Sequence, residues 1–167
     1  MSRLIKSLVI VSACSLLAAC AHPDLLEVGQ SGDSVVTELG APDSKMTLAD
    51  GGYILVYSHQ PFGMEVYWLY FDKDGRFVKH ERALNEEHFA LVQVGKHTKA
   101  DVYQMFGRCA QEYDFRLQKE TAFMYRFEDV GGYNQAFWVQ FDTQGIVTET
   151  AVTQDPWEND GFWQIGL

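Results

Sequence analysis

The stretch Val66-Tyr67-Trp68-Leu69-Tyr70-Phe71-Asp72-Lys73-Asp74-Gly75 returns as Ala136-Phe137-Trp138-Val139-Gln140-Phe141-Asp142-Thr143-Gln144-Gly145 at a constant offset of 70. Trp, Phe, Asp and Gly coincide, and a self-match of this kind marks a repeat architecture that must be read before any local feature. In each copy an apolar strand runs into an Asp-x-x-Gly turn that reverses the chain.

The match continues outward from these strands. Upstream, Tyr53, Leu55 and Tyr57 correspond to Phe123, Tyr125 and Phe127, bulky triads with the period of two that marks the buried face of a strand. Farther upstream, Leu25-Leu26-Glu27-Val28-Gly29 matches Leu91-Val92-Gln93-Val94-Gly95 at an offset of 66, and Ser31, Val35, Leu39 and Gly40 match Thr98, Val102, Phe106 and Gly107 at 67. Ser31 and Thr98 stand where a hydroxyl caps a helix start, and Gly40 and Gly107 where glycine ends one; Pro42 confirms the first stop. Downstream, a third strand is expected around Phe77 to Glu81 and again around Ile146 to Val152.

Each unit therefore reads helix, strand, strand, strand. The expected fold class is α+β: two tandem helix-plus-three-stranded antiparallel sheet repeats packed together, with the helices on one sheet face. The units span residues 20–81 and 82–154, followed by an acidic aromatic tail, 155–167. Residues 82–93 carry apolar positions at Leu84, His88 and Leu91 or Val92, which favours a short helix over a flexible tether. Two independent beads are disfavoured, because about 65 residues bury little core alone.

The N-terminus belongs to export rather than to the fold. Met1-Ser2-Arg3-Leu4-Ile5-Lys6 is a basic start, and Ser7 to Leu17 is an apolar run too short to span a bilayer. Leu17-Ala18-Ala19-Cys20 resembles the lipobox of bacterial lipoproteins, which implies a signal peptide over residues 1–19 and lipidation of Cys20 by diacylglycerol and an N-acyl group such as palmitate. Each buried methylene contributes about 0.8 kcal/mol, so several acyl chains tether a protein durably. In that pathway an Asp after the Cys retains a lipoprotein in the inner membrane; Ala21 implies the outer membrane, facing the periplasm.

Charge narrows the partners. Removing residues 1–19 takes Arg3 and Lys6 and no acid, leaving 11 basic against 23 acidic residues and a net charge of −12. That disfavours nucleic acid and adsorption to anionic lipid by a basic face. With Cys14 in the signal and Cys20 acylated, Cys109 is left without an intramolecular partner and reads as a small buried hydrophobe.

The run Val94-Gly95-Lys96-His97-Thr98-Lys99-Ala100-Asp101-Val102 with Phe106-Gly107, its partner Val28-Gly29-Gln30-Ser31 with Val35, Leu39, Gly40 and Pro42, and the aromatic strand ending Phe-Asp-x-x-Gly resemble the SmpA/OmlA (BamE-like) family of outer-membrane lipoproteins. The tandem arrangement is similar to the β-lactamase-inhibitor-protein fold. The resemblance implies a lipidated Cys ahead of a small domain of helices on a three-stranded sheet, in a subunit that serves outer-membrane assembly. It implies no individual contact residue.

Catalytic and metal-binding patterns are weak. His22, His59, His80, His88 and His97 fall in separate elements without a close-spaced ligand pair, and no H-E-x-x-H or C-x-x-C occurs. Solvated or structurally bonded histidines are expected, although spacing does not register convergence in space. Asp72-Lys73-Asp74-Gly75 begins like a calcium loop, but Arg76 and Phe77 follow where that loop needs an oxygen ligand and Gly, so it reads as a hairpin turn. No G-x-S-x-G, P-loop or G-x-G-x-x-G is present. The expectation is a non-enzyme with no cofactor, no metal and no small-molecule substrate.

Aromatic residues carry the stronger signal. With Tyr67, Leu69 and Phe71 facing the core, Trp68 must point the other way with Tyr70, and Trp138 likewise in the second unit. Arg126 shares that face, and Trp, Tyr and Arg dominate interface hot spots. Trp68, Tyr70, Arg126 and Trp138 are thus the expected interface for another envelope protein. The tail, with Trp157 and Trp163, either folds over this face or is itself offered to a partner. The leading expectation is a lipid-anchored binding or scaffolding module of the envelope. The alternatives are an inhibitor of a periplasmic or extracellular enzyme, and a small His-dependent hydrolase.

Overall fold

The structure is a computed structural model that describes residues 21–159. The expected signal peptide, the lipidation site Cys20 and Trp163 lie outside the described residues. Among those described, no helix is long and apolar enough to cross a membrane.

The fold is α+β and carries the repeat through in detail. After a 3-10 turn at Pro23–Leu25, the first unit contains α1 (Gly32–Leu39), β1 (Ser44–Thr47), β2 (Tyr53–Ser58), β3 (Val66–Phe71) and β4 (Phe77–Arg82). A linking helix, α2 (Glu86–Phe89), leads to α3 (Lys99–Phe106), β5 (Gln111–Phe115), β6 (Glu120–Glu128), β7 (Asn134–Phe141) and β8 (Val147–Gln154), and α4 (Pro156–Asn159) follows. Both sheets are antiparallel and ordered as in sequence, β1-β2-β3-β4 and β5-β6-β7-β8.

Local chemistry sets the helix limits. The Ser31 hydroxyl accepts from the amide of Ser34, and Thr98 forms a reciprocal capping box with Asp101, whose carboxylate accepts from the Thr98 amide. Hydrogen bonds from the Thr98 backbone and hydroxyl hold the Asp101 carboxyl below its ordinary value. Gly40 and Gly107 end the helices at φ +86° and +67°, conformations that a side chain strongly disfavours. The Tyr57 hydroxyl then donates to the Gly40 carbonyl and the Tyr125 hydroxyl to the Gly107 carbonyl, each at 3.0 Å. Matching bridges, Ser31 to Arg76 and Thr98 to Ile146, tie each helix start to the hairpin turn of its own unit.

Two expectations need correction. Each sheet has four strands, not three, because the chain leaving the helix adds β1 or β5 along the outer edge of β2 or β6. These edge strands, Ser44-Lys45-Met46-Thr47 and Gln111-Glu112-Tyr113-Asp114-Phe115, are mostly polar because they bury little, so apolar periodicity does not reveal them. Nor are the helices confined to one sheet face. α1 covers the first sheet through Val35, over Leu55, Tyr57, Tyr67, Leu69 and Phe71. α3 lies between the two sheets, where Phe106 meets Trp68 on one side and Tyr125 and Phe137 on the other.

This placement joins the two units through a shared core, beside the smaller cluster that each keeps to itself. Phe89 of α2 stacks on Phe137 with ring centres 3.9 Å apart; the helix spans only Glu86–Phe89 of the linking segment, and of the expected apolar positions only His88 lies on it. Polar contacts complete the junction: Ser44 Oγ donates to the Gln104 carbonyl at 2.6 Å, Ser58 Oγ to that of Arg108 at 2.6 Å, and Gln60 Nε2 to that of Arg126 at 2.6 Å. Each satisfies a backbone acceptor near the end of α3 or on β6, and the bonds from Ser58 and Gln60 lie at part-buried positions.

Candidate protein-docking face

The two sheets present different second faces, although their strands repeat. On the first, Ile54, Val56, Val66 and Trp68 are buried in the shared core. Trp68 is 5% exposed, its indole stacks on His88 at 4.0 Å, and its Nε1–H donates to the Met105 carbonyl at 2.5 Å. Trp68 is therefore no docking residue, because α2 and α3 of the second unit occupy the surface it faces. Tyr70, at the margin of that core, donates its hydroxyl to Glu81 and carries Lys79 Nζ over its ring at 4.4 Å. Burial, reinforced by Glu81, pushes the Tyr70 hydroxyl well above its ordinary value. Desolvation works to raise the Glu81 carboxyl in turn, but hydrogen bonds from Tyr70 and Lys79 outweigh it and leave the group below its usual value.

Among the described residues, the corresponding face of the second sheet is covered only in part, by Trp157 of α4. Cross-strand register places Tyr113 beside Ala122, and Met124 beside Trp138, which in turn neighbours Ala151; Arg126 lies beside Ala136. Met124, Ala136 and Ala110 form a buried floor, and Tyr113, Trp138 and Trp157 pack on it while remaining partly exposed. Tyr113 and Trp138 have ring centres 5.2 Å apart, and Phe115 extends the row, 6.2 Å from Tyr113. Trp138 Nε1 donates to Thr153 Oγ1 at 2.9 Å, so its polar edge is satisfied while its ring remains available.

Arg126 connects this face to the tail. Its Nη2 and Nε each lie 2.7 Å from Asp155 Oδ2, and Asp155 is completely buried. The guanidinium also lies 4.5 Å from the Trp157 ring centre, within range of a cation–π contact. The start of the tail is therefore fixed to the sheet by a buried ion pair, and Trp157 covers only the Arg126 end of the aromatic row.

Of the expected site residues, Arg126, Trp138 and Trp157 come together, while Trp68 and Tyr70 belong to the junction between units. Tyr113 and Phe115 were not anticipated. Their spacing of two, in an otherwise polar run, is the sequence signal that could have found them. Cys109 is free and partly buried, and burial raises its thiol above the ordinary value, away from the reactive thiolate. On the α1 side of the first sheet, three side chains distant in sequence, His22, His59 and Glu65, have potential ligand atoms within 4.8 Å of one another. Comparison with protein-family models, with curated proteins and with solved structures finds no match.

Proposed function

We propose that this chain is a lipid-anchored outer-membrane lipoprotein, attached through Cys20 and facing the periplasm, whose tandem body binds another envelope protein without catalysing a reaction. In this reading the two units are SmpA/OmlA-like repeats, each extended by an edge strand, and the host process is assembly of the outer membrane or envelope. The observation that carries the binding role is the partly exposed row Phe115, Tyr113, Trp138 and Trp157, on a sheet face that among the described residues only α4 covers, at one end. Rigid aromatic rings over an apolar floor, with a polar margin, form the arrangement in which interface energy concentrates.

A photo-crosslinking residue placed singly at Trp138, Tyr113, Trp68 and Lys96 in the full chain, in intact envelopes, tests this. The same discrete protein adduct is expected from positions 138 and 113, and none from the buried position 68 or the exposed loop position 96. An adduct pattern indifferent to position, or no adduct from 138 and 113, overturns the assignment. Radiolabelled fatty acid incorporation that is lost in Cys20→Ala tests the anchor separately.

A further inference from the structure

We propose that His22, His59 and Glu65 form a binding site for one zinc-class divalent cation, which clips the N-terminal turn to the loop between β2 and β3. The site begins with strand geometry. His59 follows β2 and Glu65 precedes β3, and the His59 amide donates to the Glu65 carbonyl at 3.0 Å, closing the loop so that the two side chains emerge side by side. His59 Nδ1 and Glu65 Oε2 are 3.7 Å apart. Two ligand atoms on a tetrahedral zinc ion, each bonded at about 2.0–2.1 Å, are about 3.4 Å apart. His22 reaches the same point from the opposite direction, off the start of the Pro23–Leu25 turn, and all three ligand atoms fall within 4.8 Å. The His22 and His59 side chains are 38% and 36% exposed, which leaves their rings free to make the remaining adjustment.

The surrounding groups are placed as outer partners of such a site. Arg82 Nη2 holds the other oxygen of Glu65, Oε1, at 2.8 Å, leaving Oε2 toward His59. The Asp24 carboxylate reaches both His22 Nδ1, at 3.5 Å, and His80 Nε2, at 3.0 Å. The Asp24 amide donates to His22 Nδ1 at 3.3 Å, so loading Nε2 exchanges this bond for one from Nδ1–H to the Asp24 carboxylate, the arrangement that orients a metal-bound imidazole. The Tyr67 hydroxyl lies 3.5 Å from His22 Nε2, and burial, with Glu65 and Asp24 nearby, pushes it up to about 12, so it remains a neutral phenol beside the site. Two imidazoles and one carboxylate suit zinc and its first-row neighbours; calcium and magnesium need a shell of oxygens.

Titration calorimetry of the untagged full chain in detergent, stripped with chelator and then given zinc chloride alone, tests the site. One zinc per chain is expected, with Kd in the micromolar range or tighter. His59→Ala and Glu65→Gln should each weaken binding about tenfold or more, and His97→Ala, outside the cluster, should leave it unchanged. Unchanged urea midpoints without zinc will show that the variants fold. Imidazole nitrogen NMR of the unaltered chain supplies a second reading, with zinc displacing the His22 and His59 resonances but not that of His97. No binding tighter than about 100 µM overturns the proposal, as does wild-type affinity in both cluster variants or resonance shifts confined to other histidines.

Discussion

Trp68 of β3 donates its indole N–H to the main-chain carbonyl of Met105 in α3, 2.5 Å away, and so hooks the first sheet to the helix of the second unit. The bond lies inside the one core that both units share, beside His88 and Phe106. Trp68→Phe keeps most of the ring but strands the Met105 carbonyl, at a cost of about 1–3 kcal/mol. Trp68→Ala adds a cavity and should cost about 3–5 kcal/mol. Urea unfolding measures both, and a single transition should persist, because the largest apolar cluster spans both units. Two resolved transitions in the unaltered protein would overturn that view.

Gly40 and Gly107 occupy equivalent positions but should tolerate alanine unequally. Both combine positive φ with ψ near the extended limit, −173° and −152°, a region essentially reserved for glycine, so each substitution pays a backbone cost of about 1–3 kcal/mol. A Cβ on Gly40 meets nothing within 4 Å, whereas one on Gly107 lands 2.8 Å from Asp43 Cβ and 3.1 Å from Ser58 Cβ. Gly107→Ala should therefore lower the thermal midpoint well beyond Gly40→Ala. Equal shifts would mean that the junction around Asp43 relaxes freely.

Repetition made much of this fold legible before its coordinates. The offset of 70 places both Trp strands, and the capping residues Ser31, Thr98, Gly40 and Gly107 place both helices, because caps are read from single residues with strong conformational preferences. The edge strands were not legible, since a strand with one free edge and little burial has no apolar pattern to display. The docking face was half legible. Alternation establishes that Trp68 and Trp138 point away from the α1-like side of their sheets, but a repeat carries no record of which face the next unit will cover. That asymmetry between identical positions arises from tandem packing alone. The cluster of His22, His59 and Glu65 was invisible for a related reason: its members meet only when the turn at Pro23–Leu25 lies beside the β2–β3 loop.

Acid should weaken the protein through Glu81 and Asp101. Both carboxyls are held below their ordinary values of 4.5 and 3.8 in the folded chain. The unfolded chain therefore binds protons first as pH falls. The stability each contributes is complete above its ordinary value and disappears as pH drops through its lowered folded value. Urea midpoints should be level near neutrality and decline below about pH 5. Glu81→Gln should begin lower at pH 7 and decline less steeply, because the titrating group is gone; a decline parallel to that of the unaltered protein would remove Glu81 from the explanation.

Arg126 and Asp155 allow the structural role of the docking face to be separated from its recognition role. With Asp155 fully buried and both contacts at 2.7 Å, Arg126→Ala leaves an uncompensated carboxylate and should cost about 3–5 kcal/mol. Replacing the pair together, Arg126→Met with Asp155→Leu, removes the stranded charge and should recover part of that loss, the rest being the bond from the Trp157 amide to Asp155 Oδ1 at 3.0 Å. Trp138→Ala acts on a partly exposed ring and should reduce stability less than Arg126→Ala. If the face recognises a partner, crosslinking from position 113 should fail in Trp138→Ala while the protein stays folded, and should return in the Arg126/Asp155 double variant along with the recovered part of its stability. Crosslinking that instead follows folded fraction alone across all three variants would make the aromatic row a structural cap over Met124 and Ala136.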